Sequence, residues 1–263
     1  MEAMIRKRII NPEEEIEHIV TFIKKYFIAN GNANTKAVIG ISGGKDSTIA
    51  AALLVRALGP ERVIPVMMPN GTQKDIDDSY AICNALKIPV ENFYEIDISA
   101  SVNGLINEIG QSAEIAEVET NLPARIRMAT LYTVAAIKKG RVINTGNASE
   151  LYVGYTTKYG DLAGDVALFK EYYVRDVVDI GRAMPEVPRH LVEKAPGDGM
   201  SGKTDEDNLG FSYDVLDTYI LDHYAPDYDV LREIQERHRR NIHKRCIDLP
   251  HPNPVSRHWN DEE

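Results

Sequence analysis

The feature that most constrains the fold is an alternation, over the first 150 residues, of short apolar runs with longer stretches of helical pattern. The runs at 37–42, 62–69, 92–98 and 141–146 have the length and apolar content of buried strands. The stretches between them carry apolar residues at helical spacing and end near glycine or proline, as 47–58 does. Strands that alternate with helices predict a parallel sheet covered on both faces. We therefore predict an α/β fold, a doubly wound parallel sheet flanked by helices.

The pattern changes after about residue 150, where strand signals fade and glycine-rich loops and short helices follow. No repeat, low-complexity tract or linker separates the two parts of the chain. We predict a single domain over residues 1–263, with its sheet core at about 36–150 and a helical, loop-rich C-terminal part at about 151–263.

Charge and composition limit the classes of partner. The formal net charge is −10, and such a surface repels nucleic acid backbones and membranes. The sequence contains no apolar run of about 18 residues, the length that a membrane span requires. Cys83 and Cys246 lie far apart without metal-ligand spacing; one disulfide is the alternative, but we expect reduced thiols. We expect small-molecule partners, no nucleic acid, no membrane and, without a secretion signal, a cytoplasmic location.

The stretch GISGGKDS, residues 40–47, joins the first predicted strand to the helix that follows it. A loop at that place offers the N–H groups of a helix start to phosphate, and Gly43 and Gly44 let the backbone approach the anion. The common P-loop motif does not fit, because the spacing from Gly40 is one residue short and Asp46 occupies its Ser/Thr position. A carboxylate there would repel phosphate unless a cation lay between them, so we predict that Asp46 binds Mg²⁺. A plain Gly-Ser turn is the alternative.

The segment SGGKDS resembles the SGG-x-DS signature of the ATP pyrophosphatase (PP-loop) superfamily. The chain is similar to NAD synthetases in four longer stretches, and in HKR at 243–245: VMMPNGTQKDIDDSY, NLPARIRMATLYTVA, NTGNASELYVGYTTKYGD and KTDEDNLGFSYDVLDTYI. This resemblance covers nearly the whole chain and implies an adenine nucleotide alpha hydrolase-like fold. It also implies an ammonia-dependent ligase that converts deamido-NAD, ATP and ammonia into NAD, AMP and pyrophosphate through an adenylated nicotinate carboxylate.

The resemblance implies roles for individual residues. Lys45 and Asp46 would be catalytic, and Asp46 and Glu150 would bind Mg²⁺, since two carboxylates at adjacent strand ends suit a hard cation. The implied ATP-binding residues are Gly40, Ile41, Ser42, Gly43, Gly44, Lys45, Asp46, Ser47, Thr145 and Arg175. The implied deamido-NAD-binding residues are Arg125, Lys158, Asp165, His243 and Lys244. Without the resemblance, these would be interpreted as helix caps, solvated turns and surface charges.

The chain departs from the family at a position where many members have a lysine that reaches the ATP phosphates. Val174 stands there, with Arg175 beside it and Lys170 four residues earlier. The charge would then come from Arg175, from Lys170 or from Lys45. The stretch 197–204 is similar to the family's loop that closes over ATP.

The resemblance also bears on the nitrogen source and on assembly. Glutamine-dependent relatives have an additional N-terminal amidase domain with a catalytic cysteine. About 36 residues precede the first predicted strand here, and none is cysteine, so we expect free ammonia as the nitrogen source. The family implies a homodimer with deamido-NAD near the subunit interface.

Two other functions fit part of the sequence. A PP-loop enzyme that adenylates another acceptor, such as tRNA, would need a basic face and often zinc or catalytic cysteines, which a net charge of −10 and two scattered cysteines do not favour. A non-catalytic nucleotide sensor would explain Val174, but not why Asp46, Glu150, Lys158 and Asp165 occur together. Binding without turnover would identify a sensor.

Overall fold

The computed structural model describes residues 8–73, 76–110, 115–194, 197, 204–245, 251–256 and 258–259. Its main sheet has five parallel strands: β2 (Lys36–Gly40), β3 (Val63–Met67), β4 (Tyr94–Glu95), β5 (Gly140–Asn144) and β6 (Val166–Ala167). Their spatial order is β4-β3-β2-β5-β6. A separate antiparallel pair joins β1 (Arg8–Ile9) to β7 (His258–Trp259). The predicted parallel α/β sheet is confirmed.

The helices pack on both faces of this sheet or against one another. They are α1 (Pro12–Ala29), α2 (Lys45–Leu58), α3 (Ile76–Ala85), α4 (Ser99–Ile109), α5 (Ala116–Lys138), α6 (Ala148–Val153), α7 (Val174–Arg182), α8 (Arg189–Val192), α9 (Asp205–Leu209), α10 (Tyr213–Leu221) and α11 (Tyr228–Arg240). No helix in the described ranges is long and apolar enough to cross a membrane.

The central strands are buried on both faces, which explains why they appear in the sequence as continuous apolar runs. In β2, Ala37 and Ile39 pack into a core with α1, α2 and α7, whereas Val38 packs with α4 and α5 on the other face. All five residues of β3 are buried. Successive side chains of a strand point to opposite faces, so a fully apolar strand needs a helix layer on each side.

The strands differ from the sequence prediction in their boundaries and in their number; the run predicted at 92–98, for example, is a strand only over Tyr94–Glu95. The fourth strand of the chain's alternation begins at Gly140 and ends at Asn144, rather than covering 141–146. Strand signals fade after residue 150, yet Val166–Ala167 forms β6, with Val166 opposite Ile143. A strand of two residues is too short to show a period in the sequence, and only its pairing with β5 makes it a strand.

The C-terminal segment 251–256 is joined to the core through one buried carboxylate. Glu15 in α1 is 0% exposed, and it accepts hydrogen bonds from Tyr172 Oη at 2.7 Å and from the Val255 N–H at 2.7 Å. The hydroxyl of Ser256 donates to the same carboxylate at 2.6 Å. A buried carboxylate is stable when such donors surround it, so Glu15 fixes the C-terminal segment against α1.

Two expectations fall partly outside the described residues. Cys83 is buried and not in a disulfide, and burial raises the pKa of its thiol to about 12, whereas Cys246 lies outside the described residues. Of the stretch predicted to close over ATP, only Gly197 and Thr204 are described.

Candidate active site at the carboxyl edge of the sheet

The loop after β2 has the geometry of an anion site. Gly43 adopts a φ of +79°, a conformation that residues with a Cβ rarely adopt. The hydroxyl of Ser42 lies 3.2 Å from that of Ser47 and accepts a hydrogen bond of 3.2 Å from the Gly44 N–H, which holds the loop closed. Gly44 is the N-cap of α2 and has no side chain, so the first N–H groups of that helix remain available to an anion.

Asp46 of this loop meets the end of the neighbouring strand β5 through Asn147. The Nδ2 of Asn147 lies 3.4 Å from Asp46 Oδ1. Asn147 is also the N-cap of α6, where its Oδ1 accepts from the Glu150 N–H at 3.0 Å while its own N–H donates to Glu150 Oε2 at 3.2 Å. This capping box fixes the Glu150 carboxylate at the start of α6. The structure therefore brings Asp46 and Glu150 into one site.

The charges in this site depend strongly on one another. Desolvation and the nearby Asp46 hold the pKa of Glu150 well above its ordinary value, although Lys45 acts in the opposite direction. Lys45 is only 4% exposed, and its Nζ lies 2.9 Å from Asp46 Oδ2. Burial acts to lower the pKa of Lys45, but Asp46, Glu150 and Asp205 together raise it. Lys45 is therefore a charged lysine among carboxylates.

The two carboxylates fit a Mg²⁺ ion that arrives with a nucleotide. Within the described ranges, no group of three or more His, Cys, Asp and Glu side chains is arranged to hold a metal ion by itself. Mg²⁺ usually takes one or two carboxylates and completes its shell with substrate phosphates and water. Burial is the main cause that raises the pKa of Glu150, and repulsion from Asp46 adds to it; a divalent cation would relieve that repulsion.

Four of the five predicted deamido-NAD residues gather in a second group, which we call the acceptor cluster: Arg125, Lys158, His243 and Lys244. Arg125 Nε donates to the carbonyl of Lys158 at 3.4 Å, and Lys158 Nζ donates to the carbonyl of His243 at 2.8 Å. Lys244 Nζ donates to the carbonyls of Gly154 and Thr156 at 2.8 and 2.6 Å. Burial lowers the pKa of Lys244, opposed by Asp161. The cluster joins α5, the loop after α6 and the segment after α11, so residues that the resemblance had grouped lie close together in space although they are far apart in the chain.

A small cavity lies between the two groups, and we call it the Lys170 cavity. Its polar wall contains Asn144, Asn147, Lys170 and Lys244. Its remaining lining is Gly146, Leu151, Leu162 and Ala167. Thr145, one of the predicted ATP contacts, is half-buried in the loop from β5 to α6, where it stands between Asn144 and Gly146 in the chain. The cavity thus borders the Asp46 site through Asn147 and the acceptor cluster through Lys244.

Asp165 does not join the acceptor cluster. Its Oδ2 accepts from the Val142 N–H at 2.7 Å, one residue before β6. It lines a second cavity of about 300 Å³ with Tyr132, Lys139 and Arg141 among others. Asp165 is therefore placed along β5, away from the carboxyl edge where the other predicted residues lie.

In this structure the guanidinium of Arg175, a predicted ATP contact, pairs with another part of the chain. Its guanidinium donates to both carboxylate oxygens of Asp222, at 2.8 and 3.0 Å, and to the carbonyl of Arg8 at 2.7 Å. A partly buried bidentate pair of this kind is costly to break. The position next to Val174 therefore does not offer a mobile cation to phosphate.

Four residues of the site were not singled out by sequence reasoning. Asn147 links Asp46 to Glu150. Asp205 adds a third carboxylate near Lys45. The ring of Tyr213 lies 5.9 Å from the Nζ of the same lysine. Asp217 accepts from Ser149 Oγ at 2.5 Å and from the Arg175 N–H at 2.9 Å. The sequence Asn-Ala-Ser-Glu at 147–150 is a helix-start signal that could have indicated the first of these. The others depend on helix packing.

Comparison with known proteins identifies a family for the chain. The sequence model of the family described as NAD synthase matches residues 15–250. The chain is 36% identical over 244 residues to the NH(3)-dependent NAD(+) synthetase of Thermoplasma acidophilum, a match that covers 89% of this chain and 95% of that protein. Among solved structures it is similar to NMN synthetase from Francisella tularensis, with a TM-score of 0.81, 30% identity and coverage of 91% and 98%. It is also similar to NH3-dependent NAD synthetase from Campylobacter jejuni in complex with the nitrate ion, with a TM-score of 0.72, 25% identity and coverage of 90% and 97%.

Proposed function

The chain belongs to the NAD synthase family, and on that premise we propose that it converts deamido-NAD, ATP and ammonia into NAD, AMP and pyrophosphate. The observation that carries the proposal is the contact between Asn147 and Asp46, which places the phosphate loop and the Glu150 carboxylate in one site. The acceptor cluster lies across the Lys170 cavity from this site. ATP and a carboxylate acceptor therefore have neighbouring places at one edge of the sheet.

Binding of ATP is assigned to the loop after β2. The N–H groups at the start of α2 would hold phosphate oxygens, and Ser42, Ser47 and Thr145 would donate hydroxyl hydrogen bonds. Asp46 and Glu150 would hold Mg²⁺, which when bound neutralises phosphate charge. Lys45, kept charged by its neighbouring carboxylates, fixes Asp46 at 2.9 Å.

Binding of the acid substrate is assigned to Arg125, Lys158, His243 and Lys244. In the first step a carboxylate oxygen of the nicotinate forms a bond to the α-phosphorus, and pyrophosphate leaves with the electron pair of the broken P–O bond. In the second step ammonia attacks the activated carbonyl carbon, AMP leaves, and one proton is lost to give the neutral amide. The chain's part is to hold two anions in line and to exclude water from the adenylate.

A homodimer belongs to the same proposal. Large apolar side chains are exposed on and beside α4 and α5, where Ile109 is 60% exposed, Ile115 48% and Ile137 66%. Ile115 and Ile137 lie at opposite ends of α5, so these side chains do not form one patch, and the homodimer rests on the resemblance to the family. Light scattering coupled to gel filtration tests it, and a monomer mass at every protein concentration would contradict it.

A second candidate acceptor is nicotinic acid mononucleotide, because one of the similar solved structures is an NMN synthetase. The two acceptors share the carboxylate and differ by an AMP half. Asp165, in the separate cavity beside Arg141, is our candidate contact for a sugar hydroxyl or amine of that half. Asp165→Asn is then expected to weaken the binding of deamido-NAD and to leave the binding of the mononucleotide unchanged.

The test is an incubation of the purified protein with Mg-ATP and each acceptor in turn, with ammonium, with glutamine or with neither. NAD, NMN, AMP and pyrophosphate are quantified. We expect NAD and AMP to form one for one with deamido-NAD and ammonium. If no AMP forms with either acceptor, the proposal is contradicted and an enzyme that adenylates another acceptor, such as tRNA, is favoured. ATP binding without any turnover would favour the sensor.

A further inference from the structure

We propose that Asp217 is a positioning residue for the metal site, which through Ser149 fixes the first turn of α6 and with it the Glu150 carboxylate. This inference rests on the proposed function, since that function assigns Glu150 to Mg²⁺. Asp217 lies in α10 and Ser149 in α6, 68 residues apart in the chain. The resemblance to the family gave neither residue a role.

Ser149 connects α6 to two other helices. Its hydroxyl donates to Asp217 Oδ1 at 2.5 Å and accepts at 3.0 Å from the N–H of Val174, the first residue of α7. The other carboxylate oxygen of Asp217 accepts from the Arg175 N–H at 2.9 Å. Ser149 is 0% exposed and Asp217 is 1% exposed. The two residues therefore belong to one buried set of hydrogen bonds that joins α6, α7 and α10.

Helix α6 depends on such contacts for its position. It has six residues, and a helix of that length is not stable by itself in water. Besides the bonds of Ser149, its first turn is held by the Ala148 N–H, which donates to the Tyr172 carbonyl at 2.8 Å. Its last turn is held by Asn241 Nδ2, which donates to the Val153 carbonyl at 3.0 Å. Ser149 and Ala148 therefore set the place of the first turn, which carries the residue assigned to the metal.

Glu150 follows Ser149 directly, so its carboxylate moves with the same turn. Successive side chains of a helix diverge by about 100°, so Ser149 can contact α10 while Glu150 lies near Asp46. The capping box with Asn147 fixes the carboxylate within the turn, but it does not fix the turn within the protein. A shift of this turn would change the separation of the two carboxylates assigned to Mg²⁺.

Metal affinity depends closely on that separation. Mg²⁺ requires nearly ideal octahedral geometry, with ligand oxygens at about 2.0–2.1 Å. Groups that hold a metal ligand in place without touching the metal contribute about 10- to 100-fold to metal affinity or activity. If Asp217 supported stability alone, its loss would leave the affinity for the metal unchanged.

The experiment compares Ser149→Ala, Asp217→Asn and the double variant. Asp217→Asn leaves one acceptor oxygen for two donors, the Ser149 hydroxyl and the Arg175 N–H. The matched control is Thr35→Ala. Thr35 is also buried, at 5% exposed, and its hydroxyl accepts from the Asn32 N–H at 2.9 Å just before β2, at the opposite edge of the sheet.

Metal binding is measured without turnover. Each variant is titrated with Mn²⁺ in the presence of α,β-methylene-ATP, which cannot be cleaved between the α- and β-phosphates. Free Mn²⁺ is quantified from its electron paramagnetic resonance signal. The Mg²⁺ concentration that gives half-maximal NAD formation and the thermal midpoint are measured in parallel.

We expect the Mn²⁺ dissociation constant and the half-saturating Mg²⁺ concentration to rise by about 10- to 100-fold in Ser149→Ala, and to rise also in Asp217→Asn. The double variant should show no more than the larger single effect, because the two residues act through one contact. Thr35→Ala should lose stability and keep the wild-type value of both quantities.

An unchanged Mn²⁺ dissociation constant in Ser149→Ala would overturn the inference. Effects that multiply in the double variant would also overturn it, because Asp217 would then act independently of Ser149. If Ser149→Ala does not fold, an unchanged constant in Asp217→Asn has the same meaning. Wild-type protein that binds Mn²⁺ with the analogue but forms no NAD would contradict the proposed function alone.

Discussion

Asn147 Nδ2 lies 3.4 Å from Asp46 Oδ1, so residues 101 positions apart in the chain meet at the ends of adjacent parallel strands. Asp46 follows β2 and Asn147 follows β5, which pair in register from Lys36 opposite Gly140. Carboxyl ends of neighbouring parallel strands share one edge, where open α/β sheets bind ligands. This contact orients Asp46 and, through the capping box, Glu150.

Replacing Asn147 separates its two roles. Asn147→Ala should cost about 1 kcal/mol of stability through loss of the helix cap and should also lower kcat, because Asp46 loses its amide partner. Asn147→Ser keeps a capping hydroxyl but cannot reach Asp46, so its thermal midpoint should stay near wild type while kcat falls. Steady-state kinetics and thermal unfolding check both variants; full activity of Asn147→Ser would show that the contact with Asp46 is incidental.

Asp46→Asn should lower NAD formation by orders of magnitude, because it removes one of two carboxylates assigned to the metal. The structure adds a cost in stability, since the buried Lys45 loses its partner at 2.9 Å. We expect the free energy of unfolding to fall by about 2 kcal/mol, with the fold retained. The measurements are kcat as a function of Mg²⁺ concentration and urea unfolding.

The matched control for this substitution is Asp229→Asn, which changes an exposed carboxylate in α11 and should alter neither quantity. Near-normal turnover of Asp46→Asn at saturating Mg²⁺ would remove Asp46 from the metal site.

Asp217 predicts a dependence of stability on pH. Burial raises its pKa to about 7, although Ser149 and the Arg175 N–H stabilise the ionised form. Between the ordinary value and about 7, the folded state therefore binds more protons at this group than the unfolded state. Its contribution to stability is then largest in acid and decreases by about 1 kcal/mol per pH unit as the pH rises to 7.

Asp217→Asn should remove this slope while costing stability in acid through a lost hydrogen bond. Urea unfolding of both proteins at pH values from 5 to about 8 gives the difference, in which the other titrating groups cancel. Parallel curves for the two proteins would show that Asp217 does not titrate in this range.

Val174→Lys should leave activity unchanged or higher, because it places a lysine where many members of the resembled family carry one that reaches the ATP phosphates. Val174 is half-buried and packs against the cluster formed by Val153, Phe211 and Tyr213 among others. Lysine can keep its stem in such contacts and direct its ammonium outward. Val174→Met has a similar length without charge and serves as the control in kinetics and thermal unfolding. Severe unfolding of both variants would identify Val174 as a core residue with no space for a longer side chain.

Much of the fold could be predicted because its signals are local. Strand β2, the glycine-rich loop and α2 follow one another in fewer than 25 residues, and Asn11 caps α1 as its sequence indicates, accepting from the Glu14 N–H at 3.3 Å. The two-residue strand β6 could not be predicted, since its only distinguishing property is its pairing with β5. The pairing of Arg175 could not be predicted for a related reason, because its partner Asp222 lies 47 residues away.

By itself the sequence determined the alternation of strands and helices and the loop 40–47 with Asp46 in it, because each depends on residues close together in the chain. It also determined the family, through stretches spread over nearly the whole chain. Only the tertiary structure decided which charges share a site. It joined Asp46 to Asn147, assembled Lys158 with His243, left Asp165 in a separate cavity and directed Arg175 to Asp222. Electrostatic interactions act over a few ångströms of space, and the distance along the chain does not limit them. Packing of the helices against the sheet therefore decides which side chains can act together.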